Sequence, residues 1–119
     1  MKPLLALLVI SITCLLTACG NAGLHAYQAG NVAFNNHQYK DSLQHYLYAA
    51  NHNIAAAQYA VGYQYYYGLG TSADIFKSMY WFKQATPRSR RAEYAIQQIN
   101  AHNEPQPWAV GLHWSDSKK

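Results

Sequence analysis

The side chains of this chain that could hold a metal or carry catalysis are six histidines, two cysteines and five acidic residues. Their spacing argues against both chemistries. His45 and His52 are seven apart, so they can share a helix face, but His52 lies near a turn. No histidine pair has the i, i+4 spacing with a supporting carboxylate that a helical zinc site uses. The acidic residues are scattered, with no close carboxylate pair, and there is no Gly-x-Ser-x-Gly elbow and no phosphate-binding loop. His113 and Asp116 fall in an irregular tail. The sequence therefore predicts no catalytic residue, no metal and no cofactor, and a protein that is not an enzyme.

The residue types in excess suit recognition. There are eleven tyrosines, eight asparagines and nine glutamines, whereas charged residues make up only 12% of the chain, against about 25% in an ordinary soluble protein. Tyrosine offers a large ring at low entropic cost and keeps a hydroxyl for hydrogen bonding. An asparagine amide can hold a peptide backbone. Arg88, Arg90 and Arg91 could bind phosphate, but such a short run reads more simply as a solvated helix start.

The front end has a different composition. Lys2 precedes an apolar run from Leu4 to Leu16. A membrane-spanning helix needs roughly 20 apolar residues, whereas a secretion-signal core needs about 7–15. An uncleaved anchor helix is thus the weaker reading, and residues 1–18 are expected to be a processed signal. At its end, Leu16-Thr17-Ala18-Cys19 resembles the lipobox of bacterial lipoproteins, in which a leucine and two small residues precede an obligatory cysteine. The resemblance implies cleavage before Cys19, a diacylglyceryl group on its sulfur and a further acyl chain on its new amine. Two or more acyl chains anchor a protein stably. In the Gram-negative pattern an aspartate after the cysteine retains the protein at the inner membrane. Gly20 therefore points to the periplasmic side of the outer membrane. Cys14 departs with the signal, so the mature chain has no thiol left to pair. Lys2 departs too, which leaves eight Lys/Arg against five Asp/Glu. A mildly basic protein in that compartment meets lipid, cell wall and proteins, not nucleic acid.

Beyond a short tether, residues 19–23, the pattern is helical and contains no period-2 strand run. The first hairpin spans about Leu24 to Asn51. Tyr27, Gly30, Ala33 and Phe34 recur at helical spacing, Asn35-Asn36-His37-Gln38 makes a polar turn, and Leu43, Tyr46, Leu47 and Ala50 form the next stripe. Gly30, Ser42 and Ala49 stand where a tetratricopeptide repeat places the small residues of its helix crossing, and this segment resembles that family. Ser42 replaces the usual alanine, and Ala26 stands where a large aromatic residue is usual. The second hairpin carries Ala57-Gln-Tyr-Ala-Val-Gly62, Gly68-Leu-Gly70, Asp74, Lys77, Trp81-Phe82 and Ala85. It resembles a Sel-one-like repeat over about thirty residues. Gly68 and Gly70 supply the turn, Ser72 or Asp74 can cap the next helix, and Trp81 and Phe82 are expected against Val61 and Tyr65. Pro87 suits a helix start. Ala92-Glu-Tyr-Ala-Ile96 echoes Ala57-Gln-Tyr-Ala-Val61, but Gln97 replaces the glycine and no second helix follows. Arg88 to about His102 is read as a capping helix with a polar outer face.

The expected fold is all-α: a short α-solenoid of two antiparallel helical hairpins, the first tetratricopeptide-like and the second Sel-one-like, plus a C-terminal capping helix over 24–103. An irregular tail, 104–119, contains Trp108 and Trp114. In these families the first helix of each hairpin lines a concave groove. The resemblance therefore places Tyr27, Asn31, Phe34, Asn35, Tyr63, Tyr66 and Tyr67 at a partner site, with Tyr59 more simply a core residue. It implies an adaptor for an envelope protein or peptide, held to the membrane by its lipid. The alternatives are a structural or accessory subunit of a larger envelope or secretion complex and, more distantly, a cell-wall-active enzyme.

Overall fold

Five α-helices and no strand make up residues 21–101, the part of the chain that the computed structural model describes. Cys19, the signal segment 1–18 and the tail 104–119 lie outside the described residues. Helix α1 covers residues 21–35, followed by α2 (Tyr39–Asn51), α3 (Ala55–Tyr67), α4 (Ile75–Ala85) and α5 (Arg90–Asn100). Residues 21–23, expected in the tether, already belong to α1. Gly23 is buried, and a β-carbon there would meet His52 Cβ at 2.9 Å and Ile54 Cγ1 at 3.2 Å, so this turn packs on the chain between α2 and α3.

Local chemistry sets the breaks. His37 and Asn53 take positive φ (59° and 62°) in the turns that end α1 and α2, a conformation that these two residue types tolerate better than most. Gly68, at φ 66°, closes α3 in the left-handed conformation, and its N–H returns to the Gln64 carbonyl. Asp74 caps α4 by accepting from the Lys77 N–H at 3.0 Å. Ser89 does the same for α5, accepting from Ala92 at 3.3 Å. Pro87 therefore lies in the turn before α5 and not at its first position, because the residue able to cap the free N–H groups is Ser89.

The two hairpins are closed by the same device. On α1, a β-carbon on Gly30 would lie 2.5 Å from Cδ1 and 2.6 Å from Cε1 of the Tyr46 ring on α2. On α3, a β-carbon on Gly62 would lie 2.6 Å from Cδ1 and 2.7 Å from Cε1 of the Phe82 ring on α4. A second aromatic ring backs each one: Tyr27 lies 5.8 Å from Tyr46, and Tyr59 lies 5.5 Å from Phe82, both with ring planes 37° apart. One turn before the ring stands a fully buried serine, Ser42 or Ser78; three residues after it stands a fully buried alanine, Ala49 or Ala85. The glycine removes the side chain that would hold the helices apart, and the ring fills the space. Phe82 thus meets Gly62 and Tyr59, while Trp81 is only partly buried, against Tyr80 at 5.2 Å.

Helix α3 is the centre of the packing and is buried from Ala57 to Gln64 without a break. It packs on both α2 and α4, and α5 packs on α4. Ala92 and Ala95 of α5 are core residues. Gly23 and Gly30 of α1 meet the end and the middle of α2, Ser42 near the start of α2 meets Gln64 near the end of α3, and Gly62 and Tyr59 of α3 meet Phe82 near the end of α4, so these four helices alternate in direction and the bundle has two distinct ends. Residue 21, the α2–α3 turn and the α4–α5 turn share one end. The α1–α2 turn and the α3–α4 loop share the other, where Gly70 lies against the backbone of Tyr39.

Candidate functional site

The seven residues expected at a partner site fall into two groups. Tyr27 and Asn31 stand beside Tyr46: the Tyr27 ring is half-buried against it, and the Tyr46 hydroxyl donates to Asn31 Oδ1 at 2.7 Å. Burial pushes the Tyr46 hydroxyl well above the usual tyrosine pKa, and the neighbouring Tyr27 adds to the rise. The hydroxyl therefore stays a donor, and Asn31 serves to satisfy it inside the hairpin.

The other five gather where α1 ends and α3 ends. Phe34 and Tyr63 are core side chains, 9% and 8% exposed, with ring centres 6.3 Å apart. The Tyr63 ring meets Tyr67 at 4.8 Å, and Tyr67 meets Tyr66 edge-on at 4.9 Å. Tyr66 and Tyr67 are half-buried and Asn35 is exposed. Phe34 and Tyr63 thus form the floor of an aromatic cluster whose accessible part is Tyr66 and Tyr67, and the exposed Asn35 follows Phe34 at the end of α1. The fractional exposure separates floor from surface, which the sequence spacing could not do. Tyr59, by contrast, is a core residue at 2% exposure. Burial raises its pKa, while the Arg91 guanidinium, 5.3 Å from the ring centre, opposes the rise.

Two residues join this region without having been singled out. Tyr39, at the start of α2, packs edge-on against Phe34 at 5.1 Å, and its hydroxyl shares a 2.8 Å hydrogen bond with His37 Nδ1. Gln64, next to Tyr63 in the chain, is fully buried. Its Nε2 donates to the Tyr39 carbonyl at 2.9 Å and the Leu69 carbonyl at 3.1 Å, and its Oε1 accepts from Ser42 Oγ at 3.1 Å. A Gln among tyrosines on an apolar helix was the one available signal. Its role depends on partners up to 25 residues away. Arg91, expected on a solvated helix start, is 7% exposed because it lies over the Tyr59 ring, whereas Arg88 and Arg90 are exposed.

Two surface grooves lie elsewhere. One is lined by Ala29, Val32, Ala33, Gln38, Asp41, Gln44 and His45 on the outer side of the first hairpin. The other lies along the α4–α5 turn, between Thr86, Pro87, Arg88, Ser89, Arg90 and Glu93. Among the described residues no three His, Cys, Asp or Glu side chains come together to hold a metal ion, and no helix is long and apolar enough to cross a membrane. No known protein family, curated protein or solved structure matches the chain.

Proposed function

We propose that the chain is a lipid-anchored helical-repeat adaptor of the bacterial envelope. It is of the tetratricopeptide and Sel-one-like type, with Cys19 acylated and the domain on the periplasmic side of the outer membrane. It binds a protein or peptide through the aromatic end formed by Asn35, Tyr66 and Tyr67. The observation that carries this reading is a layered aromatic cluster: half-buried Tyr66 and Tyr67 stand on a floor of Phe34 and Tyr63. Pre-ordered rings lose little freedom on binding. The matched glycine–ring pairs of the two hairpins support the repeat reading.

The test is capture of envelope proteins by the native chain and by Tyr66→Ser/Tyr67→Ser, followed by binding of the captured partner in purified form. The double variant should lose the partner while retaining the wild-type melting point to within a few degrees. Unchanged affinity of the purified partner for the double variant would overturn the adaptor reading. A second reading, an accessory subunit of an envelope assembly, draws on the outer side of α4, where Ile75, Phe76 and Tyr80 are exposed, Phe76 by 86%. In that case Phe76→Ser and not the tyrosine pair would dissociate the complex.

A further inference from the structure

The two ends of the bundle differ in charge. At the end shared by residue 21, the α2–α3 turn and the α4–α5 turn, Lys83, Arg88 and Arg90 are all exposed. Lys83 is in the last turn of α4, and Arg88 and Arg90 flank the cap of α5. One acidic side chain, Glu93 in the first turn of α5, lines the same groove as Arg88 and Arg90. At the opposite end the charges balance: Lys40 stands beside Asp41, and Asp74 is three residues from Lys77. Lys77 also lies over the Tyr65 ring, 5.4 Å from its centre.

Chain connectivity ties the basic end to the anchor. Two residues after Cys19 the chain is already in α1, and two residues span at most roughly 7 Å in any conformation. Gly23 is locked against His52 and Ile54, so α1 cannot swing free of the rest of the bundle. An acylated Cys19 would therefore bring this end, with the α2–α3 and α4–α5 turns beside it, to the bilayer surface. Exposed apolar and aromatic residues on the first hairpin, Leu24 at 47% and Tyr48 at 49%, suit that boundary.

We infer that the end of the bundle bearing Lys83, Arg88 and Arg90 lies on an anionic phospholipid surface, with these three cations against the headgroup phosphates. This deepens the proposed function and rests on its lipid anchor. The acyl chains supply the affinity, and the cations supply the orientation. The opposite end, with Tyr66, Tyr67 and Asn35, then points away from the bilayer toward a partner. Basic residues act on an anionic leaflet only within about a Debye length of it, roughly 8–10 Å, so the cations able to act are those at the end of the bundle that carries the anchor.

The experiment uses the mature chain from its host, in vesicles of phosphatidylethanolamine with or without phosphatidylglycerol. With Cys14 removed and Cys19 acylated, a single introduced cysteine can be labelled with a fluorophore alone. Asn51→Cys reports on the basic end and Ser72→Cys on the opposite end. Nitroxide headgroup lipids should quench the Asn51 label strongly when phosphatidylglycerol is present and leave the Ser72 label bright. The charge reversal Lys83→Glu/Arg88→Glu/Arg90→Glu, at exposed positions and with an unchanged helical circular dichroism spectrum, should abolish that difference. Equal quenching at both positions would overturn the inference, as would a difference that survives charge reversal. Mass spectrometry of Cys19 reads the anchor separately. If Cys19 carries no lipid, sedimentation of the same chain with phosphatidylglycerol vesicles, weakened roughly tenfold or more by the charge reversal, keeps the surface and discards the anchor. Absence of sedimentation would discard both.

Discussion

The Ser42 hydroxyl donates to the side-chain carbonyl of Gln64 at 3.1 Å, and both residues are completely buried. This bond joins the second helix of one hairpin to the first helix of the next. It also aims the Gln64 amide nitrogen at two backbone carbonyls, those of Tyr39 and Leu69. The amide therefore locks the start of α2, the middle of α3 and the glycine loop behind it. A buried amide with both ends satisfied specifies one arrangement, because any shift leaves polar groups without partners.

Replacing Gln64 should accordingly cost more than replacing Ser42. Gln64→Leu keeps the volume but strands two carbonyls and a hydroxyl, for a loss of about 2–4 kcal/mol. Ser42→Ala strands one amide oxygen and should cost about 1–2 kcal/mol. Urea midpoints of both single variants and of the double variant measure the coupling. The double variant should be more stable than the sum of the two losses predicts.

Gly30→Ala and Gly62→Ala should behave as a pair. Each adds a methyl group 2.5–2.6 Å from an aromatic carbon of a fully buried ring. Each should destabilise by about 1–3 kcal/mol despite the better helix propensity of alanine. Phe82→Leu should reduce the penalty at Gly62 and leave that at Gly30 unchanged, as thermal melts of the three single variants and the two double variants would reveal. Equal penalties with and without Phe82 would contradict the ring contact.

Gly70→Ala should be worse than Gly68→Ala. Both glycines have positive φ, 66° at Gly68 and 72° at Gly70. A β-carbon at Gly70 would run into the Tyr39 carbonyl, which is backbone and already held by Gln64, whereas at Gly68 the closest atom is Ala73 N at 3.1 Å. Losses of about 1–2 kcal/mol at Gly68 and about 3 kcal/mol or more at Gly70 follow, readable from denaturant midpoints.

Stability should hold through neutral pH and fall in alkali. Burial raises the pKa of Tyr46, Tyr59 and Tyr63 above the unfolded value of 10.0. A raised folded pKa favours the protonated native state fully below the unfolded pKa. Above pH about 10 the unfolded chain releases protons that the folded chain retains, and each such tyrosine then costs up to about 1.4 kcal/mol per pH unit. Urea midpoints from pH 7 to 11 should be flat and then drop. Absorbance at 295 nm should show a group of tyrosines that ionises only as the protein unfolds.

Much of the helical layout is legible in the chain because it depends on near neighbours. A left-handed glycine at Gly68 and an aspartate cap at Asp74 act within a few residues of themselves, although the cap of α5 falls on Ser89 and not at the expected start beside Pro87. The 32-residue offset from Gly30 to Gly62 marks the two hairpins in the same way. The candidate site was only half legible. The resemblance to helical repeats puts Phe34, Tyr63, Tyr66 and Tyr67 along one groove, but it cannot say which rings become floor. Tertiary packing decided that, by setting Tyr39 and Phe34 of the first hairpin against Tyr63 of the second. The same packing drew Arg91 over Tyr59 and enclosed Gln64 among carbonyls that lie 5 and 25 residues away in sequence. The physical reason is the range of the forces involved. Caps and turns are satisfied by the local backbone, whereas the burial of a polar or aromatic side chain is settled only when distant segments close around it.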